Sequence, residues 1–143
     1  DSSPVIEGGL VFATNFQGNL TAFDPSQRRA VWSTDASSFH SPLIIKGLII
    51  VLNNDGSIIS FSGQTLSESW TNEEYLRRGL SNATEHDGNV VFGDIEGYLH
   101  VINPLTGRTV GREKISGNPI RYVSSRGNQL FALDSELRMF ALN

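Results

Sequence analysis

Along the chain, apolar positions gather in short runs of Val, Ile, Leu and Phe, each interrupted by Gly, Asp or Asn. Runs of this composition, bounded by turn-forming residues, are the signature of β-strands. The first stretch predicts strands over 4–7, 10–14, 19–23 and 30–34, separated by Gly8-Gly9, Phe16-Gln17-Gly18 and Asp24-Pro25-Ser26. Further on, Lys46-Gly47, Asp55-Gly56, Asp87-Gly88 and Glu96-Gly97 supply the same turn chemistry, which suits hairpins that need a positive φ. Successive strands are therefore expected to pair as antiparallel neighbours. Leu48-Ile49-Ile50-Val51-Leu52 and Val90-Val91-Phe92 carry no polar alternation, so their sheets are expected to be covered on both faces by other sheets.

The pattern repeats. Ser3-Pro4 is followed by Gly9, Gly18, Phe23 and Trp32, and Ser41-Pro42 by Gly47, Gly56, Phe61 and Trp70, an offset of 38 residues throughout. A third unit begins at Asn82-Ala83 with Gly88, Gly97 and Ile102 in register, although Gly111 stands where the tryptophan would be. The fourth begins near Pro119 and lacks the tight-turn glycine. Units near 3–37, 41–79, 82–116 and 119–143 result. Four strands in about 40 residues is the period of a β-propeller, whose blades cannot bury both faces alone. The fold class predicted is all-β, with about four blades of four antiparallel strands and the last one incomplete. The segment 72–80 stretches one step to 41 residues and is expected to form a turn of helix or an extended loop.

Composition narrows the function. Eleven basic against fifteen acidic residues give a formal charge of −4, which disfavours nucleic acid as a partner because phosphate binding needs clustered positive charge. The longest apolar stretch, 43–52, is broken by Lys46 and Gly47 and is too short for a membrane-spanning helix. There is no cysteine, so disulfides, thiolate metal sites and a cysteine nucleophile are excluded. The opening Asp1-Ser2-Ser3-Pro4 has no initiator Met and reads as a processed or excised piece.

The candidate chemistry is sparse. Trp32 and Trp70 occupy equivalent repeat positions, which points to packing between blades. Gly18, Gly56 and Gly97 are expected in equivalent hairpin turns. His40, His86 and His100 fall at dissimilar positions without metal-ligand spacing, and Asp55, Asp94 and Glu96 read as turn formers rather than calcium ligands. No cofactor or metal is implied. In the long segment, Glu73-Glu74 and Arg77-Arg78 flank Tyr75 and Leu76. They are either a solvated charged face or a partner contact.

Ala22-Phe23-Asp24 with Arg29 and Trp32 resembles the tryptophan-docking motif of quinoprotein-like propellers. Gly93-Asp94-Ile95-Glu96-Gly97-Tyr98-Leu99-His100-Val101-Ile102-Asn103, continued by Gly107-Arg108, is similar to the C-terminal portion of the BamB family, lipoproteins of the outer-membrane β-barrel assembly machinery. That resemblance implies the C-terminal half of an eight-bladed propeller, lipid-tethered at the periplasmic face of the bacterial outer membrane. It further implies a non-catalytic scaffold that binds the periplasmic domain of BamA and assists nascent outer-membrane proteins. Asp1, ahead of Ser2-Ser3-Pro4, matches an acidic contact of that family, and Tyr75, Arg77 and Arg78 are further candidates. A fragment of a pyrroloquinoline-quinone-dependent dehydrogenase is the alternative, although such enzymes need a calcium site and commonly an adjacent cysteine pair. An incomplete last blade and two open faces predict that two copies pair.

Overall fold

The computed structural model describes residues 3–15 and 17–143. Asp1, Ser2 and Phe16 lie outside them, and with them the docking role read for Asp1 and the first residue of the first tight turn. The chain is built from four consecutive antiparallel sheets. The first holds β1 (Val5–Glu7), β2 (Leu10–Thr14), β3 (Asn19–Asp24) and β4 (Arg29–Asp35), hydrogen-bonded in chain order. The second holds β5 (Leu43–Ile45), β6 (Leu48–Leu52), β7 (Ile58–Ser62) and β8 (Glu68–Asn72), and the third β9 (Ala83–His86), β10 (Asn89–Gly93), β11 (Tyr98–Ile102) and β12 (Thr109–Lys114). The fourth has three strands, β13 (Ile120–Arg126), β14 (Gln129–Asp134) and β15 (Met139–Leu142).

From sheet to sheet it is the first strands, β1, β5, β9 and β13, that approach one another. The sheets are thus arranged as propeller blades with their first strands innermost. The repeat extends to irregularities. The third and fourth strands of each complete blade slip register at Ala22/Phe23, Ser60/Phe61 and Val101/Ile102, each a bulge that sharpens local twist.

The core is not one body but three. Phe12, Leu20 and Ala22 of the first blade pack on Ile49, Val51 and Phe61 of the second. Ile45, Ile50, Leu52 and Ile58 meet Val90, Phe92 and Ile102 of the third. Val91 and Leu99 of that blade then meet Ile120, Val123, Leu130 and Ala132 of the fourth. Strand alternation explains this. Ile49 and Val51 point to one neighbour while Ile50 and Leu52 point to the other, so a central strand must be apolar at every position.

The tryptophans lie on the outermost strands and reach the following blade. Trp32 meets Phe61 edge-on, with centroids 5.3 Å apart and planes at 72°. Trp70 donates its Nε1–H to the Pro104 carbonyl oxygen at 2.7 Å. Both indoles are half-buried rather than enclosed, because an outermost strand keeps one edge in solvent.

The segment 72–80 forms consecutive turns without helix. Asn72 starts it by accepting the Glu74 amide on Oδ1 at 2.7 Å while its Nδ2 donates to the Gly107 carbonyl at 2.8 Å.

Candidate functional site on the loop face of the second and third blades

The tight turn between the second and third strand of each blade begins with a short polar residue. Asn15 accepts the amides of Gln17 and Asn19 on one oxygen, Asp94 those of Glu96 and Tyr98, and Asp134 those of Glu136 and Arg138, at 2.8 to 3.1 Å. Three residues on, Gly18, Gly56 and Gly97 have φ of +102°, +99° and +90°. In the fourth blade Leu137 holds the same place at φ +63°, so the aspartate ahead of it folds the turn without glycine, at some strain.

These turns are stitched to the segments that link the blades. Asn54 N–H donates to the Ser37 carbonyl, Arg77 N–H to Asp55, Ile95 N–H to Arg78 and Ser135 N–H to Pro119, all at 2.8 to 3.0 Å. Turns and linkers therefore share one face, and the insertion 73–80 lies on it between the second and third blades.

Tyr75 points inward from that insertion and is only 3% exposed. Its ring meets Phe92 edge-on at 5.0 Å and His100 at 4.7 Å, and its hydroxyl bonds to the Thr109 hydroxyl, which in turn donates to Glu74. Burial is the main reason that its phenol is pushed above the ordinary range, opposed by the Thr109 bond. A partner contact must be reachable, so Tyr75 is corrected to a core residue. The cause is the three extra residues of this step, which let an aromatic fold back into the gap between blades.

Arg78 is partly committed as well. Its Nε and Nη2 both donate to Asp94 Oδ2, at 3.0 and 2.8 Å. The same oxygen accepts from His100 Nε2 at 2.6 Å. Asp94 has no exposed surface; burial alone would raise its pKa, but the bonds from His100, the Tyr98 amide, Arg78 and the Glu96 amide hold it below the ordinary value. His100, 1% exposed, is moved down, first by burial and against the pull of Asp94. Its Nδ1 has no partner among the described residues. Protonating that atom would create a buried donor with nothing to bond, so the neutral ring with hydrogen on Nε2 is the stable form. Arg77, at φ +64°, is exposed and, among the described residues of the predicted set, is the one left free to touch another molecule.

A His–Asp pair has the outline of a general-base dyad. Here both Asp94 oxygens are filled by two or more donors, and rings of Tyr75, Phe92 and Tyr98 enclose His100. The pair offers no atom to a reactant and works as a clamp that ties the insertion to the third blade. Among the described residues, no three His, Asp or Glu side chains gather as a cation would need. Sequence reading assigned Asp94 only to its turn and missed the clamp. The available signal was positional, since Asp94 takes the place of Asn15 and Asn53 but adds a charge, with an arginine in the preceding insertion.

The family model described as outer membrane protein assembly factor BamB matches residues 1–133. The BamB of Pseudomonas aeruginosa is 31% identical across 92% of this chain and 37% of that protein. The Escherichia coli protein is 33% identical across 82% of this chain and 30% of its own length. The chain thus spans roughly a third of the curated relatives it matches. Among solved structures, BamB from Moraxella catarrhalis superposes with a TM-score of 0.90 at 23% identity, over 99% of this chain and 42% of that one. The computationally designed Ika4 protein gives 0.85 at 13% identity, over 99% and 88%. Blades, turns and sequence agree, and the chain belongs to the family of the outer membrane protein assembly factor BamB.

Proposed function

We propose that this chain is a non-catalytic interaction module of the outer-membrane β-barrel assembly machinery. In this reading it sits at the periplasmic face of the outer membrane, within a protein lipid-anchored outside the described residues. It binds the periplasmic domain of BamA and helps deliver nascent outer-membrane proteins. The observation that carries the proposal is the family match over residues 1–133, with relatives that are named assembly factors. The loop face supports it, because linkers and turns positioned on a rigid scaffold are the usual place for binding residues. The quinoprotein dehydrogenase alternative would need an acid and a base open to substrate, whereas Asp94 and His100 are enclosed.

On this proposal Asp1 and Arg77 are the residues that touch BamA, each capable of a charge-assisted contact. The test is the affinity of the chain for BamA's periplasmic domain with Asp1→Arg and with Arg77→Glu. A loss in at least one folded variant supports the assignment; unchanged affinity in both moves the contact elsewhere. Pairing of two copies through the uncovered faces of the first and last blades is proposed as well. Light scattering at rising concentration should reveal a mass of twice the chain, and a constant monomer mass would remove that proposal.

A further inference from the structure

Tyr98 and His100 project from one face of β11. Across the ladder Tyr98 pairs with Lys114 and His100 with Arg112, so strand alternation places Arg112 and Lys114 on that face and Glu113 on the other. Arg112 Cζ stands 5.5 Å from the centroid of the Tyr98 ring, Lys114 Nζ 5.7 Å, and Arg78 Cζ 5.7 Å. Three cations thus converge on one half-buried ring. Among the described residues the ion pairs are Arg78 with Asp94, Arg78 with Glu96 and His100 with Asp94. Arg112 and Lys114 therefore have no carboxylate of their own, although both are exposed and the chain as a whole carries −4. Like charges held together without a counter-ion repel one another, and the ring face offsets that only in part.

Two further features define what fits. β12 is the outermost strand of its sheet, with no strand hydrogen-bonded to its far edge among the described residues. Ile95, whose amide donates to the carbonyl of Arg78, is 46% exposed. We propose that the outer edge of β12 with Arg112, Lys114 and Tyr98 is a docking site for an extended acidic segment of another protein, one with carboxylates at alternate positions. Arg112 and Lys114 stand two residues apart on a strand, a rise of about 7 Å. Carboxylates two apart on an added strand match that spacing, and backbone pairing along the edge sets the register. An anionic lipid surface is the poorer fit, because the net negative charge of the chain opposes approach to it. The residues that define this site, Arg112, Lys114 and Tyr98, are different ones from Asp1 and Arg77, the proposed BamA contacts.

The test is fluorescence anisotropy with a labelled peptide of alternating Glu and Thr, alongside pelleting with phosphatidylglycerol vesicles. The expected result is saturable peptide binding that weakens with salt and falls at least tenfold in the Arg112→Glu/Lys114→Glu variant. Arg112→Gln/Lys114→Gln should give an intermediate loss, and Arg121→Glu, on the fourth blade, should change little. Absence of peptide binding, equal binding by the folded double-reversal variant, or capture by vesicles in place of the peptide would each overturn the proposal. BamA affinity measured on the same variants separates this site from the earlier reading, since it is expected to stay unchanged.

Discussion

The indole of Trp70 lies so close to Gly107 of the next blade that a β-carbon there would overlap the ring, and Gly107 holds φ at +74°. Two blades are joined by a large flat side chain on a position with none. Trp70→Ala is expected to cost about 3 kcal/mol or more, and Gly107→Ala also to destabilise through overlap and backbone strain. Because both act at one contact, the double variant should lose less than the sum. Urea denaturation of the four proteins gives the coupling; strict additivity would mean that the contact is not where the stability resides.

The three turn glycines differ in their surroundings. A β-carbon on Gly18 meets nothing within 4 Å, whereas on Gly56 it would collide with the Tyr75 carbonyl and on Gly97 with that of Ser116. Gly18→Ala should therefore cost about 1 kcal/mol, from positive φ alone. Gly56→Ala and Gly97→Ala should cost clearly more, since a linker must move as well. Thermal melts rank the three.

Acid should loosen the third blade. The folded state holds His100 below its ordinary value of 6.5, so at falling pH the unfolded chain takes up the proton first and stability declines. The loss begins near 6.5 and continues down to the folded value. Asp94, held below 3.8, adds a second loss only in stronger acid, as pH falls through its own folded value. A melting temperature that is lower at pH 5 than at pH 7.5, with the slope reduced in His100→Gln, is the expected result. Imidazole shifts followed by NMR check the direction independently and require no variant.

Tyr75 separates packing from docking. Tyr75→Phe keeps the ring against Phe92 and His100 but removes the bond to Thr109, at about 1 kcal/mol. Affinity for BamA's periplasmic domain should stay level while the melting temperature drops. A changed affinity with unchanged stability would return Tyr75 to the surface set.

The blade period and the strand order can be read directly from residues such as Gly18, Gly56, Trp32 and Trp70, because each repeat position answers one local demand, a turn or an inter-blade contact. Central strands are as legible, since Ile49 and Ile50 must both be apolar whichever neighbour they face. The clamp is not. Arg78, Asp94 and His100 come together only because the insertion folds onto the turn of the next blade, a contact between segments with no shared period. Tyr75 is misread for the same reason, as flanking charges mark a surface segment and say nothing of one side chain that turns inward. Leu137 shows the converse, a turn kept by Asp134 after its glycine is gone.

The division of the core into three separate interfaces bears on how the chain folds. Every interface joins blades adjacent in sequence, so each loop that must close is about one repeat long whatever the number of blades. Entropy of closure rises only slowly with loop length, and folding rate follows the sequence distance between contacts. Assembly can start at any neighbouring pair and spread outward. Adding blades to such an open array lengthens the process without raising its steepest barrier, and only the closing of a ring, which joins first blade to last, brings in a loop that grows with the number of blades.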